Sequence, residues 1–264
     1  MLDIISAEGI SRVLSTELKE KLNIIVKDCS ASTNNDVKAL AREGESEGRV
    51  VVACTQTAGK GRLGRSFYSP DGTGVYMSVL LRPQICPVDV PLITTAAAVG
   101  VCRALEALGV YSCGIKWVND VYIDGGKVCG ILAESGFGTD GGVDYVVLGV
   151  GLNMYPPKEG FPAEIKDVAG AVFAEERESL RNRFVGEFLE SFFKIYDSIT
   201  DRVHVEEYKK RCFLYGCDVD VVVGDSTRRA TVRGLDDNCG LLVEYEGGEA
   251  AVLTSGEVSL RVVK

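Results

Sequence analysis

The chain has 264 residues, 46% of them hydrophobic and 25% charged, enough for one sizeable core or two domains. Acidic residues outnumber basic ones 38 to 29, and the net charge of -9 opposes binding to nucleic acid or to an anionic membrane surface. A single histidine, His204, argues against Ser-His-Asp catalysis and His-rich metal sites; in the polar stretch Asp201 to Glu207 it reads as a surface residue. The nine cysteines include no C-x-x-C pair, and Cys54, Cys102 and Cys129 sit in apolar runs, as free thiols of a reducing cytosol do. The N-terminus lacks a basic segment followed by a long apolar one, and no segment reads as a membrane span, so a cytoplasmic protein is expected.

In chain order, residues 1–22 read as a short helical lead-in. A strand follows at 23–27, then a helix over 36–42 with Ser32 or Thr33 as N-cap and Gly44 as its end. Strands are predicted at 49–56 and 75–82. The Ala-rich segment 92–108, between Pro91 and Gly109, has the pattern of a buried helix. Strands at 114–117, 121–123, 127–134 and 144–148 come next. The second and third are joined by Asp124-Gly125-Gly126, a hairpin turn. Helices are predicted at 176–199, with Phe184, Phe188, Phe192 and Ile195 at helical spacing, and at 205–214. Beyond Tyr215-Gly216 only short alternating strands remain, which predicts a small C-terminal β-barrel over 215–264. Helices grouped around hairpin-linked strands make 23–214 an α+β domain with a mixed sheet, not a doubly wound one.

The segment Gly59-Lys60-Gly61-Arg62-Leu63-Gly64-Arg65 alternates glycines, which let a backbone approach a ligand, with cations, which attract an anion. It satisfies G-x-G-x-x-G, but a turn and a strand follow where a dinucleotide-binding fingerprint needs a helix. A P-loop is excluded because Gly61 follows Lys60 where a Ser or Thr must hold magnesium. Four more clusters are polar where strands or their ends should be apolar: Ser30 to Asn35, Gln56, Lys116-Trp117-Val118-Asn119-Asp120 with Lys127, and Gly149-Val150-Gly151-Leu152-Asn153. With a two-residue turn at Gly125-Gly126, Asp124 pairs with Lys127, and Lys116, Asp120 and Lys127 share one face. Each cluster also has a plain structural account: a cap for Ser32, an exposed strand end for Gln56, a surface ion pair for Asp120, a turn for Asn153.

Taken together and in this order, the clusters resemble the biotin protein ligase family. Its pattern is met by Ser32-Thr33-Asn34, Gln56, the Gly59 to Arg65 loop, Lys116 to Asp120, Lys127-Val128-Cys129-Gly130-Ile131-Leu132 and Gly149 to Asn153. Ser255 to Arg261 is similar to the end of the family's SH3-like domain. The chain departs from the pattern at Lys60 (usually Arg), Phe67 (usually Trp) and Val118 (usually Pro). The resemblance implies a class II synthetase-like catalytic domain and a C-terminal SH3-like barrel. It implies ATP-dependent activation of biotin to biotinyl-5'-AMP, then transfer to a lysine of a biotin carboxyl carrier protein.

By the same resemblance, Ser32, Thr33, Asn34, Gln56, Lys60, Gly61 and Gly130 would bind biotin. Lys127 and Arg62 would bracket the carboxylate and α-phosphate. Arg65, Lys116, Asn119 and Asp120 would face the phosphates, with Mg²⁺ near Asp120, while Asn153 reads the adenine and Phe67 covers it. Lipoate ligases share the catalytic fold, and Ser32, Thr33, Gln56 and the Lys116 to Asp120 motif favour biotin over them. A bifunctional ligase/repressor would need a helix-turn-helix, for which 1–22 is too short; a module that only binds the adenylate remains an alternative. Dimerisation through a sheet edge is an open expectation.

Overall fold

The computed structural model describes residues 3–139, 141–254 and, as backbone, 258–262. Two short helices, α1 (Ala7–Ser11) and α2 (Thr16–Lys21), open the chain. Each begins at a serine whose hydroxyl accepts a backbone N–H, Ser6 from Gly9 and Ser15 from Leu18, satisfying donors that a helix start leaves unpaired. Their apolar residues Ile10 and Leu18, and Leu14 between them, are buried in the main core. Asp3 is also buried; it pairs with Arg181 at 3.3 Å and accepts the Tyr155 hydroxyl at 2.8 Å.

The main sheet comprises β1 (Asn23–Ser30), β2 (Arg49–Gln56), β3 (Gly74–Leu81), β4 (Cys113–Lys116), β5 (Asp120–Ile123), β6 (Gly126–Phe137) and β7 (Val143–Asn153). Their order is β1-β2-β3-β7-β6-β5-β4. The β1–β2 pair is parallel, because helix α3 (Thr33–Arg42) carries the crossover between them; the others are antiparallel. Alternation sorts the side chains. Val50, Val52, Val75, Val79, Val146, Leu148 and Leu152 join the large core with helices α4 (Val90–Ala107) and α5 (Leu180–Tyr196), while Val51, Leu80 and Val147 form a smaller cluster with Val37 and Ala41 of α3. The sheet thus has a thickly covered face and a face only partly covered by α3.

After the short helix α6 (Val205–Arg211), five strands form a second, fully antiparallel sheet: β8 (Asp218–Val223), β9 (Ser226–Leu235), β10 (Leu241–Tyr245), β11 (Ala250–Leu253) and β12 (Val258–Val262), in the order β11-β10-β9-β8-β12. This is the small C-terminal sheet expected from the spacing of turns. Ser255, Gly256 and Glu257, used in the sequence comparison, lie outside the described residues. The buried Trp117 bridges the two sheets, its indole N–H donating to the carbonyl of Cys239 at 2.8 Å. The Trp117–Val118 peptide is cis.

Several expectations are corrected. Helix α3 begins at Thr33 rather than at residue 36; Ser32 occupies the N-cap position, yet its side chain makes no capping bond. The helix predicted at 176–199 is shorter, Leu180–Tyr196, and carries its phenylalanines inward as expected. Strand β7 continues to Asn153, so the last polar cluster is strand, not turn. The β5–β6 turn is Asp124-Gly125, both with positive φ, and Ile123 pairs with Gly126. Lys127 pairs with Tyr122, which shares its face of β5 with Asp120, and Asp120 pairs with Lys116, so the three stay on one face although the β5–β6 register shifts between Val121 and Tyr122.

Two corrections concern environment. The helical segment Pro87–Ala107 is long and apolar enough to cross a membrane, but it is largely buried inside the protein against α5 and the sheet, which accounts for its composition. His204 is fully buried, not on the surface. Thr95 donates its hydroxyl to Leu92 O at 3.0 Å, so its oxygen accepts from His204 Nε2 at 2.9 Å. That leaves Nδ1 as the bare nitrogen, buried with no hydrogen-bond partner among the described residues, and burial lowers the pKa to about 4.

Candidate active site

The thinly covered face of the sheet carries a cleft of about 160 Å³. Its floor is set by glycines. Gly151 of β7 pairs with Gly130 of β6 on one side and with Tyr76 of β3 on the other. The ring of Phe67 lies over this glycine pair, within 2.7 Å of where a Cβ on Gly151 would stand, and packs edge-on to Tyr76 with centroids 6.3 Å apart. Two residues earlier Gly149 pairs with Ser78, and a Cβ there would collide with Asn34 Oδ1. The G-x-G of β7 is therefore bare backbone that admits one side chain from the loop and one from α3.

A chain of neutral groups runs along this floor. The backbone N–H of Thr33 donates to Gln56 Oε1 at 2.9 Å, and Gln56 Nε2 donates to Ser69 Oγ at 3.0 Å. Ser69 donates in turn to Phe67 O, also at 3.0 Å. Ser78 Oγ lies 2.7 Å from Thr33 Oγ1 and 2.6 Å from Asn34 Oδ1. Asn34 Nδ2 donates to Glu134, whose other oxygen is 2.7 Å from Lys38. Burial would raise the Glu134 carboxyl, but its bonds to Lys38 and Asn34 hold it below the usual range.

The cationic part of the cleft comes from the basic loop and the β4–β6 hairpins. The loop is a tight hairpin: Phe67 N–H donates to Gly59 O at 2.9 Å and Gly61 N–H to Arg65 O at 2.7 Å. Leu63 and Gly64 at its tip take positive φ. Arg62 reaches across to Asn119 Oδ1 at 3.1 Å, and Asn119 is pinned by donating Nδ2 to Ile131 O at 2.8 Å. Lys127 pairs with Asp120 at 2.7 Å, and Asp120 lies opposite Lys116 in the β4–β5 ladder. Lys60 donates to Asn35 Oδ1 at 2.6 Å.

Burial is the main cause that lowers the pKa of Lys116, with Lys127 and Arg65 adding to it and Asp120 opposing. Arg62 is lowered likewise by burial, opposed by Asp120. Burial makes the charged form of both side chains costlier, and an anionic ligand in the cleft would favour it.

Ser32, Thr33, Asn34, Gln56, Lys60, Gly61, Arg62, Arg65, Phe67, Lys116, Asn119, Asp120, Lys127 and Gly130 all line this one cleft. Asn153 is not among its lining residues; its Nδ2 donates to Gly170 O at 3.0 Å at the end of β7. Sequence reasoning missed Ser69, Ser78, Lys38 and Glu134, although Ser78 is visible as a lone polar residue in the otherwise apolar or aromatic run Val75 to Leu81. The cleft does not itself make a magnesium site. Among the described residues Asp120 is the one carboxylate lining it, its Oδ1 is 2.7 Å from the Lys127 ammonium without forming a well-aligned hydrogen bond, and no cluster of three metal-binding side chains occurs.

The "Biotin/lipoate A/B protein ligase family" matches residues 26–153, and the "Biotin protein ligase C terminal domain" matches residues 219–261. The bifunctional ligase/repressor BirA of Bacillus spizizenii is 33% identical over 245 residues, covering 89% of this chain and 73% of that protein. The biotin--[acetyl-CoA-carboxylase] ligase of Mycobacterium tuberculosis is 32% identical over 240 residues, covering 87% and 85%. The chain belongs to the biotin protein ligase family. Its architecture is that of the family too: the biotin protein ligase of Aquifex aeolicus, solved in complex with biotin and ATP, superposes with a TM-score of 0.72 at 27% identity, covering 91% of this chain and 99% of that one.

Proposed function

We propose that this member of the biotin protein ligase family joins biotin to ATP as biotinyl-5'-AMP and transfers the biotinyl group to a lysine on a biotin carboxyl carrier protein domain. The observation that carries the reading is that one cleft holds both a neutral array of paired donors and acceptors around Thr33 and Gln56 and a cluster of cations at Arg62, Arg65, Lys116 and Lys127. A neutral cyclic urea rewards the first and a carboxylate meeting a triphosphate needs the second.

In this reading the biotin carboxylate attacks the α-phosphorus, the bond to the β-phosphate oxygen breaks and pyrophosphate leaves. Lys127 and Arg62 stabilise the charge that gathers on the α-phosphate oxygens, and Lys116 and Arg65 attract the remaining phosphates. Magnesium would come in on the nucleotide's phosphates, and no step here depends on it. Phe67, held on the glycine floor, offers an aromatic face to the adenine. The carrier's lysine amine, deprotonated, then attacks the carbonyl carbon; AMP leaves with the bonding pair and an amide remains.

The match to a biotin protein ligase C-terminal domain at 219–261 favours biotin over lipoate as the substrate. The net charge of -9 favours action without DNA, and nine free cysteines suit the reducing cytoplasm. We assign 23–214 to catalysis and 215–264 to the C-terminal unit, with 1–22 as lead-in, Asn153 as an adenine contact at the cleft's edge, and a sheet edge as the surface through which two copies would pair. The test is biotin-dependent exchange of labelled pyrophosphate into ATP, followed by labelling of a carrier domain. Exchange without labelling would restrict the protein to adenylate formation, and absence of both would end the reading.

A further inference from the structure

A hydroxyl has one proton and two lone pairs, so a buried chain of hydroxyls and amides has a direction, and groups able only to donate or only to accept impose it. Both ends of the chain along the cleft floor are of that kind. At one end stands the Glu134 carboxylate, an acceptor, held ionised by Lys38. Asn34 must therefore turn Nδ2 toward it, as it does at 2.9 Å, which leaves Oδ1 as the atom facing Ser78. The Ser78 proton is committed to that oxygen at 2.6 Å. The 2.7 Å contact between Ser78 and Thr33 then needs a proton from Thr33.

At the other end the Thr33 backbone N–H, a donor, fixes Gln56 Oε1 at 2.9 Å. That same oxygen is 3.3 Å from Thr33 Oγ1, a longer and weaker competitor for the hydroxyl proton than Ser78. Thr33 lines the cleft with its proton directed to Ser78, so its oxygen can meet a ligand only as an acceptor.

We propose that Glu134, acting through Asn34 and Ser78, is a positioning residue that sets the Thr33 hydroxyl as an acceptor and so selects a ligand carrying an N–H at that point. The proposal rests on the reading of the cleft as a biotin site, and the N–H it selects is one of the two on the ureido ring. Gly149 belongs to the device, because any side chain there would push Asn34 off the Ser78 hydroxyl.

The test is a ratio of affinities measured by calorimetry on the full chain. The probes are biotin and the two cyclic carbamates in which one or the other ureido N–H is replaced by oxygen. Wild type is expected to bind one of the carbamates weaker than biotin by about 100-fold, since lone pairs would face each other and a buried acceptor would lose its partner. In Ser78→Ala the Thr33 proton loses its acceptor, and in Glu134→Ala the Asn34 amide is free to turn over and reverse the chain. Both variants are expected to bring that ratio down by about tenfold or more, by regaining the carbamate.

A purely structural role would weaken all three ligands together and leave the ratio unchanged; that result in the folded variants would overturn the relay while leaving the biotin site intact. Equal binding of biotin and both carbamates by wild type would overturn it as well. Failure of wild type to bind biotin would end the underlying reading and the relay with it. Glu134 is partly exposed, so Glu134→Ala carries the test if Ser78→Ala does not fold.

Discussion

The Lys127 ammonium lies 2.7 Å from the Asp120 carboxylate, across a hairpin whose turn is Asp124-Gly125. This contact keeps the cation beside the cleft, where an incoming carboxylate or phosphate can also reach it. Lys127→Ala is expected to reduce biotin-dependent pyrophosphate exchange by about 100-fold or more, because a preorganised charge is lost from an anionic transition state. The far-UV circular dichroism should be that of wild type, since Lys127 is partly exposed and outside the core. Wild-type exchange by the folded variant would remove Lys127 from the chemistry.

The two glycines of β7 should fail in different ways. Gly149→Ala sets a methyl against Asn34, and Gly151→Ala sets one against the Phe67 ring; both crowd the sheet and are expected to cost about 1–3 kcal/mol of stability. Gly149→Ala should weaken biotin binding in the absence of nucleotide, because Asn34 is tied through Ser78 to Thr33. Gly151→Ala should act more on ATP, through Phe67. Calorimetric titration of each ligand separates the two, and identical profiles would show that the glycines share one role.

His204 makes stability depend on pH. Its pKa is about 4 in the folded protein against an ordinary value of 6.5, so protons favour the unfolded chain. Above pH about 6.5 the imidazole is neutral in both states and stability does not depend on it; as pH falls through 4 the unfolded chain binds the proton preferentially, and the stability lost reaches on the order of 3 kcal/mol at the acid end. Replacing His204 by Gln removes this linkage. The difference in Tm between wild type and His204→Gln should therefore shift in favour of the variant as pH falls from 6.5 to 4, and a pH-independent difference would show that the histidine does not titrate in that range.

Trp117 ties the site to the C-terminal sheet. Its motif neighbours Lys116, Asn119 and Asp120 line the cleft, while its indole N–H ends on Cys239 O. Trp117→Phe leaves that carbonyl without its donor and is expected to cost about 1–3 kcal/mol. Ending the chain after Tyr215 removes Cys239, Leu241 and Val243 from the shared core, so the shortened protein should melt below the full chain and lose exchange activity with it. An unchanged Tm would mean that the two sheets are energetically independent.

The amino-acid sequence by itself determined the elements and the chemistry on offer. The short apolar run Val75 to Leu81, the phenylalanine spacing in α5 and the Asp-Gly turn are local signals, and local stereochemistry reads them without knowing the rest of the chain. The cluster of motifs was likewise legible because each is a polar or glycine-rich break in an apolar pattern. What tertiary structure decided is which groups meet. Glu134 lies 100 residues from Asn34 and Gln56 lies 23 from Thr33, and no periodicity within either segment announces the bond. His204 looked solvated because its own segment is polar, yet α4, distant in sequence, covers it and supplies Thr95. Asn153 closes the Gly149-Val150-Gly151 motif but turns to Gly170 and does not line the cleft. Burial and partner choice are properties of the packed sheet and its helices, set by contacts between remote segments, and they determine the pKa values and hydrogen-bond directions that composition leaves open.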